Sequence, residues 1–172
     1  MAARPGGSTA AGGLIAGPVF AATGHRPDRL GGYDDGTLER MVLLACRFLA
    51  AERPSAAISG MALGWDTAWA IAALRLGVPL IAAVPFAGQE SRWPSSAQDR
   101  YRAILAAATR VEITSPGGYS AAAMHVRNRW MVDNCDTLVA LWSGASGGTG
   151  ACVAYAQSVG RRWMNLWSEF SA

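Results

Sequence analysis

The residues best suited to chemistry fall in a few short clusters, and the most specific is Ser146-Gly-Gly-Thr-Gly150. It lies between the apolar run Leu138–Trp142 and the segment Ala151-Cys-Val-Ala-Tyr-Ala156. A strand, a glycine-rich turn and a helix start together aim backbone N–H groups at an anion on the positive end of the helix dipole. Glycine lets an anion approach the main chain closely, and hydroxyls bond phosphate oxygens. Ser146, Gly147, Gly148, Thr149 and Gly150 are therefore candidate phosphate ligands.

A second cluster is helical. Met124, Arg127, Asn128 and Met131 are spaced by three, one and three residues, so they share one face while Arg129 points elsewhere. The methionines mark that face as turned toward the interior, which leaves Arg127 and Asn128 aimed inward or into a crevice. A buried arginine needs an anion. It is met either by a salt bridge to Asp66, Asp133 or Asp136 or by a bidentate grip on phosphate or ribose.

Three further groups could complete a site. Gly60-Met-Ala-Leu-Gly64 with Asp66 resembles a second glycine turn, in which Asp66 either caps a helix or bonds a ribose hydroxyl. Gly24-His25-Arg26 follows an apolar run, His25 being a structural hydrogen-bond donor or a catalyst. Gln89, Glu90 and Trp93 combine a carboxylate with an aromatic plane, suited to a nucleoside or equally to a capped surface loop. If the protein is an enzyme, Glu90, Asp66 and Arg127 are the candidate catalytic residues. Cys152 falls on the apolar side of its helix with Val153, Ala156 and Val159 and reads as a small core residue.

These clusters must be held by alternating strands and helices. Strands are predicted at Val19–Thr23, Ala56–Ser59, Leu80–Val84, Arg110–Thr114, Thr137–Trp142 and Arg162–Trp167. Helices are predicted from an Asp34 or Asp35 cap to just before Pro54, over Thr67–Leu76, from a Ser96/Asp99 capping box, over Ser120–Asn134 and over Gly150–Val159. Alternation with continuous apolar strands implies an α/β, Rossmann-like three-layer fold: a mostly parallel sheet with helices on both faces. Glycines and polar residues collect after the first five strands, on the sheet edge where such folds bind ligands.

Composition narrows the classes. The chain has 172 residues, 51% apolar and 16% charged, with a net charge of +3. This suits a single domain over 18–172, preceded by a disordered Ala/Gly/Pro/Ser leader over 1–17. All 15 basic residues are arginine, so lysine-based phosphate binding and catalysis are excluded and an anion must be met by guanidinium or backbone N–H. Cys46, Cys135 and Cys152 show no metal spacing and no disulfide framework, which suits a reducing cytoplasm and no metal centre. No run reaches the length of a membrane span. Seven tryptophans and apolar helices suggest core packing or a homo-oligomer.

The order of motifs resembles the YpsA/YspA-type branch of the SLOG superfamily. Thr23-Gly-His-Arg-Pro27, Ser59-Gly-Met-Ala-Leu-Gly-Trp-Asp-Thr67, Ile81-Ala-Ala-Val-Pro-Phe-Ala-Gly-Gln-Glu90, Arg127-Asn-Arg-Trp-Met-Val-Asp-Asn134 and Ser146-Gly-Gly-Thr149 carry the likeness from about Val19 onward. The resemblance implies a Rossmann-like fold that binds a nucleotide or a derivative such as an ADP-ribose-like molecule, as a sensor or sequestering module. Met124-His-Val-Arg127, Met131 and Gly148-Thr149 are similar to the Lonely Guy phosphoribohydrolases, which cleave a base from a nucleoside monophosphate. In that family an arginine, matched here by Arg127, and a glutamate three residues after the threonine carry the reaction. Cys152 stands in the glutamate's place. Ser59–Asp66 and Ala72-Ala-Leu74 are also similar to DNA-processing protein A, which binds single-stranded DNA; the lack of lysine and of an aromatic-interleaved basic run argues against that route.

Overall fold

A computed structural model of the chain describes residues 17–172. The expected leader over 1–17 lies, except for Gly17, outside the described residues. Six strands, β1 (Val19–Gly24), β2 (Ala56–Ser59), β3 (Leu80–Val84), β4 (Arg110–Ile113), β5 (Thr137–Leu141) and β6 (Arg162–Asn165), form one sheet in the order β4-β3-β2-β1-β5-β6. Every pairing is parallel. The order runs outward in one direction from β1 to β4 and in the other from β5 to β6, so it reverses between β1 and β5. That is where such sheets open a crevice at the carboxyl ends of their strands.

The helices are α1 (Asp35–Glu52), α2 (Trp65–Arg75), α3 (Ser95–Ala107), α4 (Ala121–Asp133), α5 (Gly148–Ser158) and α6 (Trp167–Ser171). Alternate strand residues divide the apolar core between the two faces. Phe20, Ala22, Leu80 and Ala82 pack under α1, α2, α3 and α6, while Ala21, Ile58, Leu138 and Ala140 pack under α4 and α5. The three-layer architecture follows, because strands buried on both sides need apolar residues at successive positions. No helix among the described residues is long and apolar enough to cross a membrane.

Asp34 caps α1 by accepting the Thr37 amide at 2.8 Å, and Ser120 caps α4 by accepting the Ala123 amide at 3.0 Å. Three expected boundaries are corrected. The Ser96/Asp99 capping box does not form: Pro94 sits at the entrance of α3, and Asp99 instead lies 4.0 Å from Arg102 along the helix. The helix begins at Ser95, so Ser96 already lies inside the first turn and cannot be its cap.

The helix expected from Gly150 starts at Gly148, because Ala151 N–H donates to Gly147 O at 3.0 Å and closes the first turn there. The last strand stops at Asn165 rather than running to Trp167. The Asn165 side chain accepts the Trp142 amide at 3.1 Å and donates to the Trp142 carbonyl at 2.8 Å, so it replaces the next rung of the ladder. Its Oδ1 also accepts the Trp167 amide at 3.2 Å, at the start of α6.

Candidate functional site

At the β1/β5 reversal lies a cavity of about 520 Å³. Thr23, Gly24, His25 and Arg26 reach it from β1, Asp66 from α2, Met124, Arg127 and Asn128 from α4, and Ser146, Gly147, Gly148 and Thr149 from the entrance of α5. Four clusters far apart in sequence therefore meet at one rim. Gly147 has φ 139°, a backbone region that suits glycine, and no side chain among the described residues caps the first turn of α5. The first amides of a helix have no intrahelical acceptor. Among the described residues outside the turn itself and the backbone of α5, no heavy atom comes within 4 Å of the point where a Cβ on Gly147 or Gly148 would sit, so this side of the turn is open.

Arg127 is 5% exposed. Its Nε donates to Asn128 Oδ1 at 2.9 Å and its Nη1 donates to the Gly60 carbonyl. Asp66 is equally buried, and its Oδ2 accepts the Ala62 amide at 3.4 Å. No ion pair joins Arg127 to a carboxylate among the described residues: Asp133 accepts the Tyr155 hydroxyl and Asp136 the Val19 amide instead. A Cβ on Gly60 would lie 2.6 Å from Arg127 Nη1 and 2.8 Å from Asp66 Oδ2, so only glycine leaves room for both. Burial pushes the Asp66 carboxyl up to about 6, against the opposing pull of Arg127. Burial likewise lowers the Arg127 pKa while Asp66 raises it.

His25 is fixed by its neighbours. The Ser143 amide lies 3.0 Å from Nε2 and the Ser143 hydroxyl 2.8 Å from it. An amide can only donate, so Nε2 accepts and carries no proton. Burial lowers the His25 pKa, Arg29 adds to the effect and Asp28 opposes it. The ring stands edge-on to Trp167 with centroids 5.8 Å apart. His25 therefore joins β1 to the turn after β5 while lining the cavity.

Several expected site residues stand away from this rim. Gly60 lies behind Arg127; Gly64 packs on the His25 carbonyl; Gly150 is inside α5 against the Trp142 ring. Glu90 lines neither this cavity nor the next and lies 3.4 Å from Arg102 Nε. Gln89 and Trp93 line an adjoining cavity with Phe86, Arg92 and Tyr119. Asp66 does not cap α2, whose entrance residue is Gly64. Cys152 is buried among apolar neighbours, with a thiol pushed up to about 11 by that burial.

Lining residues not named as candidates from the sequence include Thr23, Asp28, Arg29, Tyr119 and His125. Arg29 Nη1 lies 3.5 Å from the Ser146 carbonyl, across the mouth of the cavity. Its only sequence signal was its place in the polar stretch after the first strand; Tyr119 followed the Pro116-Gly-Gly turn after the fourth.

Among known proteins, the chain is 30% identical over 132 residues to the SPbeta prophage-derived protein YoqJ of Bacillus subtilis (strain 168), a stretch covering 66% of this chain and 77% of that one. Among solved structures, DNA processing protein A of Streptococcus pneumoniae superposes with a TM-score of 0.63 at 20% identity, covering 88% of this chain and 50% of that one. This chain thus spans half the length of that relative. The Helicobacter pylori protein of the same name, described with a single-stranded DNA binding mode, gives 0.60 at 20% identity over 88% of this chain and 66% of that one. The protein TM1055 gives 0.57 at 15% identity over 85% of this chain and 72% of that one. At these identities the structural likeness establishes the fold. Residues 20–158 match the YspA SLOG family (YpsA), and the chain belongs to that family.

Proposed function

We propose that the cavity binds a phosphate-bearing nucleotide or nucleotide derivative, of the ADP-ribose type, and that the protein acts as a sensor or sequestering module. The observation that carries this reading is the convergence of the uncapped Gly147–Thr149 turn and the Arg127 side chain on one cavity at the strand-order reversal. Arg26 and Arg29 line the same cavity, and neither makes an ion pair among the described residues. Calorimetry with AMP and ADP-ribose tests it. Arg127→Ala is expected to weaken binding by about 1.5–3 kcal/mol, the scale of a charged hydrogen bond.

Arg127 also bonds the fold, so a second variant separates the two roles. Gly148→Asp meets open space and puts a carboxylate at the positive end of α5, which leaves the melting temperature unchanged or higher. It is expected to repel phosphate and cut affinity at least tenfold. Unchanged affinity in both variants overturns the phosphate assignment.

A second reading, N-glycosidic hydrolysis, is favoured by one observation: Asp66 lines the cavity with a carboxyl raised to about 6, within the range of a general acid or base. Chromatography of AMP, NAD and ADP-ribose after incubation would show released base; intact substrates exclude it for those compounds. Binding of single-stranded DNA, reported for the Helicobacter pylori neighbour, would show a steep loss of affinity with salt.

A further inference from the structure

The second cavity, about 530 Å³, is lined by Phe86, Trp93 and Tyr119 together with Gln89. It shares Arg26, Tyr119 and Met124 with the first, so these three side chains stand on the boundary between a polar compartment and an aromatic one. Tyr119 is 77% exposed and meets Phe86 edge-on at 6.0 Å, an arrangement that leaves a ring face open. Trp93 is held at 88° to Tyr101 with centroids 5.3 Å apart. The two compartments are also tied through one atom, since the Gly60 carbonyl accepts from Arg127 Nη1 and, at 3.4 Å, from Gln89 Nε2. The Tyr101 hydroxyl donates to Gln89 Oε1 at 3.2 Å, so both ends of the Gln89 amide are engaged.

We infer that the aromatic cavity is the base-binding half of a bipartite site: a nucleotide whose phosphate rests on the Gly147–Thr149 turn places its heteroaromatic base among Phe86, Tyr119 and Trp93. The inference rests on the phosphate reading above. It goes further in requiring a flat aromatic group on the same ligand, because stacking on such rings tolerates any base and is worth on the order of tenfold or more in affinity. Arg26, on the boundary and without an ion pair among the described residues, can face phosphate from one compartment and a ring from the other.

Calorimetry of the intact chain with AMP, ribose 5-phosphate and adenosine tests this. AMP is expected to bind at least tenfold more tightly than ribose 5-phosphate. Phe86→Leu, in a residue of the second cavity alone, is expected to remove most of that advantage while leaving ribose 5-phosphate unchanged, and Phe86→Tyr to restore it. Tyr119 is exposed, so Tyr119→Leu leaves the fold intact and is expected to weaken AMP through the same loss of stacking, with Tyr119→Phe restoring it. Equal affinities for AMP and ribose 5-phosphate, or variants that weaken both alike or neither, overturn the base site while the phosphate site stands. Adenosine binding as tightly as AMP, with no binding of ribose 5-phosphate, overturns the phosphate reading and the bipartite site with it. Binding of none of the three overturns both.

Discussion

Asp66 and Arg127 are two buried charges that face each other without an ion pair, separated by the space that Gly60 leaves. Desolvation favours the neutral acid, so folded Asp66 keeps its proton up to about pH 6, whereas an unfolded aspartate loses it near 3.8. Between those values the native state holds more protons than the unfolded one. The Asp66 contribution is then fully present below 3.8 and is lost as pH rises through about 6. Asp66→Asn has no such slope. Thermal melts from pH 4 to 7 are expected to show the native protein losing ground against that variant as pH rises; parallel curves would mean that Asp66 is ionised throughout.

At the scale of elements, the site depends on how the ends of β1 and β5 are joined. Gly24 pairs with Leu141, and the His25 amide donates to the Leu141 carbonyl at 3.2 Å. The Ser143 amide then donates to the His25 ring at 3.0 Å. His25→Ala strands that amide and is expected to cost about 1–2 kcal/mol in denaturant titration. The pH dependence has the opposite sign to that of Asp66. Folded His25 titrates below its ordinary 6.5, so the unfolded state takes up the proton first. Stability is complete above 6.5 and falls as pH drops through the lowered folded value. Loss of that acid-side fall in His25→Ala, with Asp66 intact, separates the two groups.

For the whole molecule, the strand order puts β1 and β5 in the interior and leaves β4 and β6 as edges. On β4, Val111 and Ile113 are exposed, and Arg110 and Glu112 are bonded at 2.6 Å along the same strand. Charged residues on an edge discourage pairing with another sheet. Replacing both Arg110 and Glu112 with valine is therefore expected to raise self-association in light scattering; an unchanged mass would show that the edge is protected by other means. Trp65 and Trp69 are fully buried in the core, and the other five are half-buried.

The sequence by itself determined the alternating elements, the three-layer fold and the inward face of α4, because these depend on periodicities of two and 3.6 residues and on local turn chemistry. It also marked the glycine turn before α5, since a φ of 139° is a local demand on the chain. Only the tertiary structure decided which clusters meet. Asp66 and Glu90 read alike as candidate carboxylates beside a ligand, yet strand order carries Asp66 to the β1/β5 crevice and leaves Glu90 beside Arg102. The sequence could not assign Gly60 and Gly150 to packing, or Tyr119 to the boundary of two cavities, because close approach between distant residues has no local signature.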